Sequence, residues 1–291
     1  MNLFKTIALF LICVQSLYAN VDLVIFSYDR PLQLYALLES IDLNIKGLNR
    51  ETVIYRSSSD KFDSGYQLLK EAFPHVVFKQ QDHHNAKVDF KPLLVKSLFD
   101  HASKARYALF AVDDIVVTRP IDLGLAASQM EENRAYCFFF RLGLNIDHCY
   151  MTNTYSGLPR GIKVEPNLFS WKIADGRGDW NYPNNVDLTL YRKEDIRPFF
   201  VYYPYTFPND LEANWATLAR GDVRGLCYTE SCMVNLPLNV VSNFRNRQMS
   251  YKTTAEFLEL FMEGYKMDIK PLQGIKNHSP HFEVEPQFVL R

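Results

Sequence analysis

"VDLVIFSYDRPLQLYALLESIDLNI", residues 21–45, decides the fold. Val21 to Phe26 is a nearly continuous apolar run rich in β-branched residues. Such a run suits a strand buried on both faces, as in a parallel sheet. Pro31 follows, a residue at home in the first turn of a helix. Leu32, Leu34, Tyr35, Leu37, Leu38 and Ile41 then recur close to a 3.6-residue period. A buried strand, a polar turn and an apolar-striped helix make the opening of an α/β unit.

The alternation continues outward from there. "ETVIYRSSSD" (51–60) reads as a strand with a polar exit and "SGYQLLKEAFP" (64–74) as a helix stopped by Pro74. "HVVFKQQ" (75–81) is a third strand, "FKPLLVKSLFDHASK" (90–104) a third helix and "YALFAVDDIVV" (107–117) a fourth strand. This order predicts an α/β fold: an open, mostly parallel sheet flanked by helices. Right-handed crossovers place the carboxyl ends of the strands on one edge, where ligands bind in such sheets. The exits "SYDR", "RSSSD" and "VDD" should therefore converge on one cleft.

Beyond residue 123 the alternation weakens. "SQMEENRAYCFFFRLG" (128–143) reads as a helix into a strand, and 143–187 is loop-rich. "DLTLYRKEDIRPFF" (187–200) is a strand into a helix, "DLEANWATLARG" (210–221) a helix, and "MVNLPLNVV" (233–241) an apolar extended run. "TAEFLELFMEGYK" (254–266) is an amphipathic helix. No repeat or low-complexity linker interrupts the chain. The reading is one domain over 20–291, with a nucleotide-binding half at 20–123 and a loop-rich acceptor half at 124–291.

Composition bounds the function. With 291 residues, 47% of them hydrophobic, the chain can bury one large core or a core with a small subdomain. A net charge of -1 gives no broad electrostatic footprint for nucleic acid. Residues 1–19 carry one lysine, Lys5, an apolar stretch from Thr6 to about Val14, and small Ala19, the layout of a secretory signal peptide. The expectation is an exported chain. An uncleaved leader would instead anchor it and hold the domain near a membrane. Four cysteines follow the leader, Cys137, Cys149, Cys227 and Cys232. An exported chain permits disulfides between them, with three possible pairings.

Asp113 and Asp114 sit at the end of the fourth apolar run. Adjacent carboxylates repel unless a cation or a set of donors sits between them. Either the pair faces water in a turn, or it holds a metal ion. A hydrolase is disfavoured, because glycosidase acids stand roughly 5–10 Å apart across a substrate and neighbours on a strand point to opposite faces.

Taken together, "VIFSYDRPLQLYALLESI", "VIYRSSSD", "FKPLL", "ALFAVDDIVV", "DWNYPNNVD", "FPNDLEANWA" and "VNLPLNVV" resemble GT-A-fold glycosyltransferases of the bacterial family-two-like kind. The resemblance spans nearly the whole chain after the leader. It implies sugar transfer from a nucleotide-sugar donor to a glycan, lipid or protein acceptor, with Mn²⁺ or Mg²⁺ on the diphosphate. Such hard cations prefer oxygen ligands and neutralise the leaving group. The family's Asp-x-Asp is here Val112-Asp113-Asp114, so its first acid is missing. By resemblance Asp114 is a metal ligand and Asp113 contacts the ribose or a metal-bound water. The same resemblance assigns His278 or His281 to the metal shell. It places Ser27, Tyr28 and Arg30 on the nucleotide, with Tyr28 stacking on the base and Arg30 pairing with phosphate. Asp60 is placed near base or ribose and Lys91 near the phosphates. Glu212 or Asp210 is the expected acceptor base, although acids near a helix start are also explained by capping and the helix dipole. The alternative is a catalytically inactive GT-A-like domain that binds a sugar or nucleotide.

Overall fold

The computed structural model describes residues 20–83, 85–241 and 247–291. The expected leader, 1–19, lies outside the described residues. No helix among them is long and apolar enough to cross a membrane.

Nine strands form the central sheet: β1 (Val21–Tyr28), β2 (Leu48–Arg56), β3 (Val77–Gln80), β4 (Tyr107–Val112), β5 (Cys137–Phe139), β6 (Gly161–Glu165), β7 (Leu168–Lys172), β8 (Thr189–Arg192) and β9 (Arg224–Tyr228). Their order across the sheet is β6-β7-β9-β5-β8-β4-β1-β2-β3. From β4 to β3 every pairing is parallel. β8 enters antiparallel between β4 and β5, and β7 runs antiparallel to both β6 and β9. With β9 parallel to β5, only β7 and β8 oppose the common direction, so the sheet is mostly parallel, as expected.

Among the described residues seven helices cover it: α1 (Pro31–Asn44), α2 (Asp60–Ala72), α3 (Ala86–Phe99), α4 (Leu123–Glu132), α5 (Lys193–Tyr202), α6 (Pro208–Ala216) and α7 (Thr254–Met262). Helices α1, α2, α4 and α7 contribute Leu34, Tyr66, Leu123 and Phe257 to a core on one face. Helices α3, α5 and α6 contribute Phe90, Phe200 and Trp215 to a ring-rich core on the other. The centre of the sheet is apolar on both sides, which explains the unbroken hydrophobic runs of β1 and β4.

Two expectations need adjusting. The loop-rich segment 143–187 contains β6 and β7, which extend the sheet at its far edge. The fourth predicted strand stops at Val112. Asp113 and Asp114 form a turn, and the chain resumes as a short strand, Ile115–Val117, paired antiparallel with Met233–Asn235. All four cysteines are free and buried.

Candidate active site

The turn at Asp113 and Asp114 is built from three directions. The Asp113 N–H donates to the carbonyl of Phe26 at 3.2 Å, tying the turn to the end of β1. The Asp114 carbonyl accepts from the Leu236 N–H at 2.8 Å, tying it to the apolar run after β9. Because the residues occupy a turn, their side chains are not forced to opposite faces. Both reach one guanidinium. Arg30 Nη1 donates to Asp113 Oδ1 and to Asp114 Oδ2, each at 2.9 Å.

Arg30 is itself buried, at 7% exposure, so its placement must be enforced. Its Nε donates to Asn239 Oδ1 at 2.9 Å, and its Nη2 donates to the Asn239 carbonyl. Asn239 Nδ2 donates to the Lys252 carbonyl at 3.0 Å, which fixes the amide. The remaining carboxylate oxygens are also engaged. Asp113 Oδ2 accepts from the Tyr28 N–H at 3.1 Å, and Asp114 Oδ1 accepts from Asn235 Nδ2 at 2.8 Å. Burial pushes Asp113 up to about 6, with Arg30 pulling it down and Asp114 pushing it further up. The two carboxylates outweigh the burial penalty on Arg30 and keep it charged. The repulsion that the sequence poses is thus relieved by an internal cation. Arg30, expected on phosphate, instead spends its guanidinium on the acid pair and on Asn239.

His281 approaches the same turn through Asn235. The Asn235 N–H donates to the Pro280 carbonyl at 2.8 Å, and the Phe282 N–H donates to the Asn235 carbonyl at 2.9 Å. The His281 ring stacks on Tyr150 with centroids 5.2 Å apart, and its buried Nδ1 has no partner among the described residues. His278 is different: it lies at the surface, with Nδ1 3.6 Å from Asp147.

A second group of acids stands beyond β8. Asp187 precedes that strand, and Leu188 adopts φ 43°, left-handed backbone that a bulky residue rarely takes. Its carbonyl and N–H are nevertheless paired, with Phe140 N–H at 3.1 Å and Phe110 carbonyl at 2.9 Å. Arg141, buried beside it, donates through Nη1 to Asp179 Oδ1 at 2.6 Å and through Nη2 to the carbonyls of Asp179 and Tyr182. Glu212 Oε1 accepts from the Val186 N–H at 3.1 Å. Burial first, then the charge of Asp187, pushes Glu212 up to about 8. Asp187 is also raised by burial. His281 and Arg141 oppose that rise and Asp114 adds to it, so Asp187 feels both acid groups.

Of the other expected residues, Ser27 and Tyr28 adjoin the aspartate pair through Asp113, whereas Asp60, Lys91 and Asp210 are exposed or engaged elsewhere. Ser27 is buried and its Oγ lies 2.7 Å from the Tyr66 hydroxyl, so it braces the site from beneath and is not turned to a ligand. Tyr28 is partly open at the sheet edge, with the Arg56 guanidinium 5.0 Å from its ring centre. Asp60 is the exposed first residue of α2. Lys91 is committed to the Tyr203 carbonyl at 2.7 Å and lies over the Tyr205 ring. Asp210 spends its carboxylate on its own helix start, accepting from the Thr206 N–H at 2.9 Å, the Thr206 hydroxyl at 3.2 Å and Asn214 Nδ2 at 3.1 Å. A surface depression of about 780 Å³, lined by Lys46, Arg119, Asp122 and Tyr228 among others, shares none of these residues. Asn235, Asn239, Asp187 and Arg141 were not singled out from sequence as site residues. For the two asparagines a signal existed: both are polar residues inside the apolar run 233–241.

No family model matches the chain. Over 194 residues it is 28% identical to the bifunctional glycosyltransferase pgtA of Dictyostelium discoideum, a match covering 61% of this chain and 24% of that protein. The chain thus spans about a quarter of the length of this curated relative. Among solved structures, S. aureus TarS 1–349 aligns over 74% of this chain and 59% of its own, at 15% identity and a TM-score of 0.49. GalNAc-T7 with UDP, GalNAc and Mn²⁺ aligns over 84% of this chain and 49% of its own, at 13% identity and a TM-score of 0.48. The chain is a mixed α/β protein with a mostly parallel central sheet, similar in sequence to a glycosyltransferase over 61% of its length.

Proposed function

We propose that the chain is a glycosyltransferase that moves a sugar from a nucleotide-sugar donor to an acceptor hydroxyl, with a divalent cation on the diphosphate. The observation that carries this reading is the acid pair at the carboxyl end of β4, held by Asn235; the backbone of Asn235 pairs with the segment carrying His281, whose buried Nδ1 has no partner among the described residues. The similarity to a glycosyltransferase over 194 residues supports it. Oxygen ligands from a carboxylate and one imidazole nitrogen suit Mn²⁺ or Mg²⁺. Asp114 and His281 would hold the ion, and when bound it supplies positive charge to the departing diphosphate. The chain's own residues do the rest. Arg30 neutralises the pair so that both acids stay in place without the ion. Asn239 holds Arg30, Asn235 orients Asp114, and Tyr28 offers a ring at the mouth of the sheet edge.

A second reading, a binding domain without turnover, is favoured by Val112, which stands where the family pattern has its first acid. Calorimetry of UDP and GDP, with and without Mn²⁺, tests the shared part of both readings. Wild type should bind one nucleotide in the presence of Mn²⁺, and Asp114→Ala should weaken that binding about 10- to 100-fold. No binding by the wild type, or equal binding by Asp114→Ala, overturns the assignment. Hydrolysis of the matching nucleotide sugar by the wild type then separates enzyme from binding domain.

A further inference from the structure

We propose that Asp42, Glu51 and His75 form a site for a divalent transition-metal ion, Zn²⁺ foremost, on the edge of the sheet opposite the acid pair. The site is independent of the glycosyltransferase reading.

The placement comes from the fold. Asp42 lies in the last turn of α1, Glu51 in the first half of β2, and His75 between α2 and β3. All three sit where the parallel strands begin, whereas Asp113 and Asp114 follow the end of β4. Arg56, the last residue of β2, pairs with Tyr28, whose N–H reaches Asp113. Glu51 precedes Arg56 by about 17 Å along the strand, at roughly 3.3 Å per residue.

Glu51 is the informative member. Side chains alternate along a strand, so Glu51 shares a face with Val53 and Tyr55, two fully buried residues of the core under α1 and α2. That face calls for an apolar residue. It carries instead a carboxylate whose buried Oε2 has no hydrogen-bond partner among the described residues. A buried charge without a donor is costly and calls for an opposite charge. Asp42 and His75 meet it there. His75 Nε2 lies 3.2 Å from Asp42 Oδ1, and each of the three residues offers a ligand atom within 4.8 Å of the other two. An ion pair between His75 and Asp42 alone leaves Glu51 Oε2 unanswered and holds two carboxylates side by side, which repel. A divalent cation resolves both, because its charge matches that of the two acids.

The arrangement suits coordination. Zn²⁺ bonds of about 2.0–2.2 Å to imidazole and carboxylate put neighbouring ligand atoms about 3.3–3.6 Å apart in a tetrahedron. Small rotations of Asp42 and His75, both half exposed, close the present spacing to that value. The backbone behind them is fixed. Asp42 is held within α1, and the Val76 N–H donates to the Phe73 carbonyl at 3.1 Å across Pro74 and His75. The His75 ring also meets Phe73 edge-on, with centroids 6.3 Å apart. A mixed nitrogen and oxygen set favours Zn²⁺ over Mg²⁺ and Ca²⁺, which prefer oxygen alone. Three protein ligands leave a fourth position to water. The ion ties the end of α1, β2 and the turn before β3 together, so its effect falls on stability.

The test titrates Zn²⁺ calorimetrically into the full chain, stripped of metal by a chelator and free of nucleotide, with Co²⁺ as a coloured stand-in. Wild type should bind Zn²⁺, give the visible absorption of four-coordinate Co²⁺, and keep both in millimolar Mg²⁺. Zn²⁺ at about a hundred times its Kd should raise the melting temperature by roughly 5–10 °C. His75→Ala and Glu51→Gln should each weaken Zn²⁺ binding at least about 10-fold and abolish the cobalt absorption and the thermal shift. Both should fold as wild type does without metal, since His75 is half exposed and glutamine keeps the shape of Glu51. His281→Ala, which changes the opposite edge, should keep all three signals. No Zn²⁺ binding by the wild type, unchanged binding in His75→Ala or in Glu51→Gln, or loss of binding in His281→Ala each overturns the assignment. None of these readouts needs a nucleotide or a sugar donor, so the result stands apart from the glycosyltransferase reading.

Discussion

Asp113 and Glu212 are both lifted above the usual carboxylate range by burial, but their neighbours differ. Asp113 has Arg30 within hydrogen-bond distance. Removing one partner of such a buried pair typically costs several kcal/mol, because it leaves an uncompensated charge behind. Among the described residues Glu212 has no cation at that distance, only the Val186 N–H. Its proton affinity in the folded state therefore exceeds that of the unfolded chain, rising from an ordinary 4.5 to about 8. The sign of the linkage follows. The folded state binds the extra proton, so this stabilisation is fully present below pH 4.5 and is lost as pH rises through 8. Glu212→Gln cannot ionise. It should match the wild type near pH 5 and exceed it by about 1–3 kcal/mol at pH 8.5, the full shift being discounted for partial solvent access. Urea melts at the two pH values measure it. An equal difference at both would show that Glu212 does not carry the proton.

At the scale of elements, the parallel half was legible because strands buried on both faces need unbroken apolar runs, and Val21 to Phe26 and Tyr107 to Val112 supply them. β6, β7 and β9 were not. β6 is a largely exposed edge strand without an apolar face, and β7 and β9 hide among Asn, Gly and Trp that read as turns. The site divides in the same way. Asp113, Asp114 and Arg30 stand out as charges beside buried runs, but that Arg30 bridges the pair depends on Asn239, 209 residues away. β9 also shows why glycine stands inside a strand. A Cβ on Gly225 would lie 2.8 Å from Phe139 and 2.9 Å from Trp171, two fully buried rings. Neither ring has room to retreat, because Trp171 packs edge-on to Trp180 at 4.8 Å. Gly225→Ala should cost about 1–3 kcal/mol through overpacking, read as a lowered urea midpoint with an unchanged slope. A shift below about 0.5 kcal/mol would mean that the ring stack yields.

For the whole molecule, the question is what completes the cleft after the sheet is built. β1, β2 and β3 pair in chain order and β4 adds beside β1, whereas the site closes through contacts of longer range still, Arg30 to Asn239 among them. Residues 265–291 run back over the helices and return to the acid pair. Tyr265–Met267 pairs with Phe288–Leu290, and the Gly274 N–H donates to the Thr118 carbonyl at 2.7 Å. Asn277 accepts from Ser231 Oγ at 2.8 Å and its carbonyl accepts from Asn145 Nδ2 at 2.7 Å, before His281 is laid against Asn235. The segment therefore has two separable duties. One is mechanical: it pairs with the backbone of Asn235, whose side chain orients Asp114. The other, under the proposed function, is chemical: it supplies the imidazole of His281. Deleting residues 277–291 removes both, while His281→Ala removes only the second. The deletion should lower the melting temperature by about 5–10 °C and weaken Mn²⁺-dependent nucleotide binding about 10- to 100-fold. His281→Ala should weaken binding alone, with the melting temperature within about 2 °C of wild type. Scanning calorimetry and titration of the three proteins with UDP, GDP and Mn²⁺ decide it. If the deletion binds as the full chain does, the returning segment is no part of the proposed site.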